Sequence, residues 1–273
     1  MLKKIKKAFC NLYKYLKNGG ITVVNIGQIQ WNCALEGKRV LITGGSSGIG
    51  LAIARKMHSM GATVLITGRN KDKLKEITDN YPEGMMYIVW DISDQSKFEQ
   101  NFNDAVMQLQ GLDILINNAG IYISKHILEI NFDDWNTVID TNLKGAFFIE
   151  KKALQYFVEN RIKGKVINIV SNRGFLGDDG PYGASKWGMR GLTIGLARDY
   201  IKYGIVINGI APGTTATGIN NINPLDNIYD EREANKRISI SEEIAEIAGF
   251  LLSGAAENVV GQIIVCDGGS SLK

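Results

Sequence analysis

Arg39-Val40-Leu41-Ile42-Thr43-Gly44-Gly45-Ser46-Ser47-Gly48-Ile49-Gly50 is the stretch whose reading decides the fold. Its first five residues form a short, nearly apolar run with the composition of a strand covered on both faces. Glycines 44, 48 and 50 then interrupt it, and a helix is expected over 49–60. Strand, glycine-rich turn and helix in direct succession bring backbone N–H groups and a helix N-terminus to the carboxyl end of a strand, a place suited to a pyrophosphate.

The same alternation continues downstream. Comparable runs recur at 63–67, 86–90, 114–116, 165–170, 205–208 and 262–265. Helices are expected over 71–79, 95–109, about 132–160, about 182–203 and 241–253, the last with Ser241 as its N-cap. Short buried strands separated by helices predict an α/β architecture, a Rossmann-type doubly wound sheet of about seven parallel strands flanked by helices in a single domain. Residues 214–240 break the pattern, because Asn220, Asn221, Asn223, Pro224 and Asn227 crowd them with turn formers, and a lid or binding loop is expected there.

Charge divides the chain in two. Of 31 basic residues, six are lysines within residues 1–35, which hold no acid, so the other 25 face 28 acids in residues 36–273. A slightly acidic body with no basic stripe argues against nucleic-acid binding. The basic extension, residues 1–35, places Leu2, Ile5, Phe9, Leu12 and Leu16 on one helical face. That face suits peripheral membrane contact through residues 1–20, but equally a helix docked on the body or on another subunit, and membrane attachment is not favoured. No apolar run approaches the ~20 residues needed to span a bilayer, and the start does not read as a secretory signal, so a cytoplasmic location is expected. Cys10, Cys33 and Cys266 are odd in number and far apart, with only His58 and His126 beside them. Neither a disulfide framework nor a metal site is expected.

The spacing Gly-x-x-x-Gly-x-Gly resembles that of the short-chain dehydrogenase/reductase family. The resemblance recurs in the family's order through Asn117-Asn118-Ala119-Gly120, Asn142-Leu143-Lys144-Gly145, Ser171, Tyr182-x-x-x-Lys186, Pro212-Gly213 with Thr217, and Asp267-Gly268-Gly269. It implies that Gly44, Ser46, Ser47, Gly48, Ile49 and Gly50 cradle a dinucleotide. It further implies Asp91 and Ile92 around the adenine, Asn118, Ala119 and Gly120 along the ribose, and Pro212, Gly213, Thr215 and Thr217 at the nicotinamide. Homodimers or homotetramers, packed through the helices that carry Asn142 and Tyr182, are likewise implied by resemblance.

Coenzyme choice turns on Gly68-Arg69-Asn70, where no acid stands to bind the adenosine ribose and an arginine follows at once. Arginine offers a planar fork of donors suited to a 2′-phosphate, so NADP(H) is expected over NAD(H).

Tyr182 and Lys186 are four apart on an expected helix and so share a face. A phenol ionises near pKa ~10, and an adjacent ammonium favours the phenolate. Family resemblance adds that Lys186 and Tyr182 also hold the nicotinamide ribose. Ser171, at the end of the fifth strand, can donate to a substrate carbonyl oxygen while Tyr182 supplies the proton. Asn142 resembles the family's fourth polar residue, which positions a water in a proton relay. The catalytic set expected is therefore Asn142, Ser171, Tyr182 and Lys186.

One departure stands out. Ser171 and Tyr182 are eleven residues apart, shorter than the family's usual gap, and Asn172-Arg173-Gly174 replaces a run of small residues. An altered pocket wall is expected, with Asp178 and Asp179 as turn residues or, less simply, as selectors of a polar substrate. The reading is an NADP(H)-dependent oxidoreductase that interconverts a carbonyl and a secondary alcohol on a small molecule, like the 3-oxoacyl reductases or the sugar and polyol dehydrogenases. An NAD-dependent alcohol dehydrogenase of the same family and a non-catalytic dinucleotide-binding regulator are the alternatives, and the presence of all four polar residues weighs against the second.

Overall fold

A computed structural model describes residues 9–10, 12–13, 33–218 and 228–272. Seven strands, β1 (Arg39–Ile42), β2 (Thr63–Gly68), β3 (Met85–Val89), β4 (Ile114–Asn117), β5 (Lys165–Ile169), β6 (Val206–Pro212) and β7 (Ile263–Cys266), form one parallel sheet in the order β3-β2-β1-β4-β5-β6-β7. Ile42 pairs with Ile66 on one side and Ile116 on the other, so the chain reverses direction across the sheet between β1 and β4. In open α/β sheets, ligands bind in the crevice at that reversal.

The helices are α1 (Gly48–Ser59), α2 (Lys71–Asp79), α3 (Phe98–Gln108), α4 (Phe132–Ile139), α5 (Ala146–Glu159), α6 (Pro181–Tyr200) and α7 (Ser241–Leu252). Successive strand residues point to opposite faces, and each face has its own core. Val40, Ile42 and Ile66 pack with Ile53 and Met57 of α1 and with Ile244 and Leu251 of α7. On the other face Leu41, Leu65 and Leu115 pack with Phe102 of α3 and with Ile149 and Phe157 of α5. Each such side chain is worth about 2 kcal/mol relative to exposure, which is why these short runs specify strands despite their length.

Three boundaries differ from expectation. β6 continues through Gly209, Ala211 and Pro212, where turn-forming residues hide the strand; a Cβ on Gly209 would stand 2.9 Å from Ile263 Cγ1, so glycine is needed for β7 to pair. The expected long helix over 132–160 is interrupted by a π-helical turn at Asp140–Gly145. Helix α7 has Ile240, not Ser241, at its N-cap, and the Glu243 carboxylate accepts the Ile240 N–H at 3.0 Å.

Of the expected amphipathic N-terminal face, Phe9 and Leu12 fall within the described residues and are exposed; Leu2, Ile5 and Leu16 lie outside them. Within the irregular stretch, Ala216, Ile228 and Ile238 form a small apolar cluster, and 219–227 lie outside the described residues. Among the described residues no helix is long and apolar enough to cross a membrane.

Candidate active site

The turn after β1 is built for close approach. Gly44 adopts φ +66°, and a Cβ on Gly50 would stand 2.4 Å from Asn118 Nδ2, so neither position tolerates a side chain. Asn118 fastens the turn, its Nδ2 donating to the carbonyls of Thr43 (2.9 Å) and Gly44 (3.0 Å). Its side chain therefore shapes the turn, and Asn118 lines the cleft beside Ala119 and Gly120. Ser47, the N-cap of α1, makes no side-chain cap hydrogen bond, which leaves first-turn N–H groups facing the crevice.

Strand β5 and helix α6 bring the expected polar residues together. Ser171 follows β5, and its Oγ accepts the Arg173 N–H at 3.2 Å while its own proton has a long contact, 3.5 Å, to Asn172 Oδ1 and also acts on the Tyr182 phenol. That proton is thus available to a substrate oxygen. Tyr182 lies in the first turn of α6, with Lys186 one turn on. Burial pushes the Tyr182 phenol above its ordinary pKa, and the Ser171 hydroxyl opposes the rise. Lys186 is buried and lowered to about 8 by desolvation; its Nζ donates to the Ile169 carbonyl at 2.8 Å and sits 5.7 Å from the centre of the Tyr182 ring. The lowering expected from the adjacent ammonium is therefore not the net direction at Tyr182, which remains a proton donor. The ammonium is committed to a backbone carbonyl, desolvation dominates, and Tyr182 holds its proton at neutral pH.

Asn142 lies behind the cleft wall, not in it. Its Oδ1 accepts the Ile121 N–H (2.8 Å) and its Nδ2 donates to the Ile121 carbonyl (2.9 Å) and to Ser185 Oγ (3.3 Å). Both arms clamp the segment after β4 that carries Gly120 and Tyr122. The π-helical turn is what lets an asparagine inside a helix face inward this way.

A cleft of about 550 Å³ runs along the carboxyl ends of the strands. It gathers Gly44, Ser46, Ser47, Gly48, Ile49 and Gly50 at the turn, Arg69, Asp91 and Ile92 at one end, and Ala119 and Gly120 in the middle. Ser171, Tyr182, Lys186, Pro212, Gly213, Thr215 and Thr217 complete it. The sequence reading missed Tyr122, whose ring meets Tyr182 edge-on at 5.3 Å, and Thr141, which also lines the cleft. A tyrosine two residues past a glycine turn carries no periodic signal. Thr67 and Trp90 were also missed; both line the cleft near Arg69, and Thr67 Oγ1 and Trp90 Nε1 are buried with no hydrogen-bond partner.

Residues 38–226 match the family model described as short chain dehydrogenase. The chain belongs to the short-chain dehydrogenase family. It is similar to a 3-oxoacyl-[acyl-carrier-protein] reductase of Aquifex aeolicus, 32% identical over 86% of this chain and 98% of that one. A gluconate 5-dehydrogenase of Gluconobacter oxydans is 34% identical over 86% of this chain and 95% of that one. Among solved structures, a short chain dehydrogenase from Burkholderia cenocepacia in complex with NADP superposes with a TM-score of 0.78 at 28% identity, covering 87% of this chain and 99% of that one. This short-chain dehydrogenase is accordingly an oxidoreductase of CH–OH groups, interconverting alcohol and carbonyl with a nicotinamide dinucleotide.

The residues present fit such a dinucleotide. The side-chain-free turn at Gly44 and Gly50, the uncapped start of α1 and the orphaned Thr67 and Trp90 polar atoms offer a backbone cradle for phosphates and unspent polar groups beside Arg69. The short Ser171–Tyr182 connection also has its explanation in this dehydrogenase. Asp178 Oδ1 accepts from the N–H groups of Gly180 (3.1 Å) and Gly183 (3.3 Å), so the acid secures the start of α6 and does not face the cleft as a substrate selector.

Proposed function

We propose that this short-chain dehydrogenase, with residues 36–273 as its catalytic unit, is an NADP(H)-dependent carbonyl reductase, of the kind represented by 3-oxoacyl reductases and sugar or polyol dehydrogenases. The observation that carries the coenzyme choice is the end of β2. No acid is present there, Asn70 is occupied in capping α2 by accepting the Lys73 N–H at 3.0 Å, and exposed Arg69 stands at the cleft without an ion-pair partner among the described residues. Its guanidinium is free to pair with a 2′-phosphate. The similar structure that holds NADP supports the same reading.

When bound, the dinucleotide supplies the hydride for the carbonyl carbon. Tyr182 Oη donates its proton to the carbonyl oxygen, and Ser171 Oγ stabilises the charge gathering on that oxygen by a hydrogen bond. Lys186, anchored on Ile169, holds a positive charge beneath the phenol and would meet the ribose of a bound dinucleotide. Asn142 is a positioning residue that fixes Ile121, and through it the Gly120–Tyr122 wall. The apolar groove of Ile139, Leu143, Phe147, Trp187 and Leu192 supports self-association through α4 to α6.

Substituting Arg69→Asp tests the coenzyme assignment. The ratio of kcat/KM with NADPH to that with NADH is expected to fall about 10- to 100-fold, the value of one charge-assisted contact replaced by repulsion. An unchanged ratio in steady-state kinetics contradicts it.

A further inference from the structure

The wall beside the reacting groups carries a cation that the fold engages through one long ion pair, to Asp178. Arg173 occupies a single helical turn, Asn172–Gly174, directly after Ser171, and lines the cleft with Ser171, Tyr122 and Tyr182. The turn is rigid. A Cβ on Gly174 would stand 2.9 Å from the Lys186 carbonyl oxygen, Arg190 Nη1 donates to the Gly174 carbonyl at 3.3 Å, and Trp187 Nε1 donates to that of Leu176 at 3.0 Å. The Arg173 backbone is therefore fixed against α6, while its side chain is 54% exposed.

Its guanidinium makes no hydrogen bond among the described residues. The ion-pair partner there is Asp178, whose Oδ2 is 3.7 Å from Nε. Asp178 does not approach further, because its other oxygen is held by Gly180 and Gly183 and its Cβ is packed where a side chain on Gly183 would be. The positive charge of Arg173 is felt at the Tyr182 phenol, which it acts to acidify, so the guanidinium lies within electrostatic reach of the reacting end of the cleft. Of the acids, Asp91 alone lines the cleft among the described residues, at the end of β3. Four strand spacings separate β3 from β5, about 19 Å, so no carboxylate of the lining competes near Ser171.

We propose that Arg173 is a specificity-determining residue that receives an anionic group of the substrate, so that the enzyme acts on oxo acids and their hydroxy acid counterparts in preference to neutral carbonyl compounds. The proposal rests on the reductase reading above and adds the substrate class. A planar fork at the mouth suits a carboxylate held in two parallel hydrogen bonds while the carbonyl lies against Ser171 and Tyr182.

The test uses 3-oxobutanoate, 4-oxopentanoate and 5-oxohexanoate, each beside its methyl ester, on the full chain as wild type, R173Q and R173K. Turnover is followed with NADPH, and binding by calorimetry with saturating NADP+. At one chain length or more the acid is expected to exceed its ester by at least about tenfold in kcat/KM and in binding. R173Q should collapse that ratio mainly through the acid's KM, and R173K should keep part of it, as a charge without the fork. A ratio near one at every length, or the same ratio in R173Q as in wild type, overturns the proposal. The reductase reading falls separately, if none of the six compounds is reduced, and the calorimetric acid-to-ester ratio then decides Arg173 by itself.

Discussion

Replacing Tyr182 with phenylalanine is expected to lower kcat for carbonyl reduction by about three orders of magnitude while dinucleotide binding stays within a few-fold of wild type. The substitution removes one oxygen from a ring packed against Tyr122 and Lys186, so the loss is chemical and not one of folding. General acid catalysis by a positioned side chain is worth about 10²- to 10⁴-fold. The pH dependence has a defined sign. Burial raises the phenol's pKa above its ordinary value, so the proton needed for reduction is present throughout the neutral range and is lost only at strongly alkaline pH. Alcohol oxidation needs the deprotonated phenol and should speed up as pH rises. NADPH oxidation against pH, with fluorescence titration of dinucleotide, checks both; a Tyr182→Phe variant that retains a tenth of wild-type kcat is incompatible with Tyr182 as the donor.

The second large effect concerns stability. Glu150 of α5 is fully buried, where desolvation pushes its pKa from 4.5 up to about 7 against the opposing hydrogen bonds from Asn168 and Asn117. Its Oε2 accepts from Asn168 Nδ2 at 3.1 Å, whereas Glu150 Oε1 and Asn117 Oδ1 are both buried acceptors without a donor. A proton on Glu150 removes the buried charge and turns one of its acceptors into a donor. The folded protein then binds the proton more tightly than the unfolded chain, so stability is greatest below about pH 4.5 as far as this group is concerned and is lost as pH rises to about 7. At ~1.4 kcal/mol per pH unit, the loss is about 3 kcal/mol. Glu150→Gln keeps the shape, supplies an N–H in place of the O–H and does not ionise. Urea unfolding from pH 5 to 8 should show the wild type losing stability across this range relative to the variant, with the variant the more stable at pH 8. Parallel profiles contradict the account of Glu150.

Much of the fold was legible because parallel strands buried on both faces leave continuous apolar runs, as Leu41 and Ile42 with their opposite-facing cores illustrate. Legibility failed where a backbone need outweighed composition. Gly209 and Pro212 look like turn residues, yet glycine is what lets β6 and β7 approach. The π-helical turn at Asp140–Gly145 is a one-residue change of helical register with no compositional mark.

At the site, motifs identified which residues meet but not what their side chains do. Asn118 and Asn142 are spent on backbone groups of Thr43, Gly44 and Ile121, a result of three-dimensional proximity across 21 to 75 positions of sequence. Asp178 reads as a possible substrate contact until its hydrogen bonds to Gly180 and Gly183 assign it to α6. Glu150 gave no sequence signal at all, since a glutamate in a helix is ordinarily solvated and only its burial against Asn117 of β4 and Asn168 of β5 makes it an acid of altered strength.

The central claim is that the cleft holds NADP(H) with its phosphate end at Arg69 and its reacting end at Tyr182, and a crystal structure of the complex with NADP+ tests it most directly. The account predicts the 2′-phosphate within hydrogen-bond distance of the Arg69 guanidinium and nicotinamide C4 facing a carbonyl position shared by Tyr182 Oη and Ser171 Oγ. A dinucleotide whose 2′-phosphate points away from Arg69, or whose nicotinamide lies out of reach of Tyr182, contradicts it.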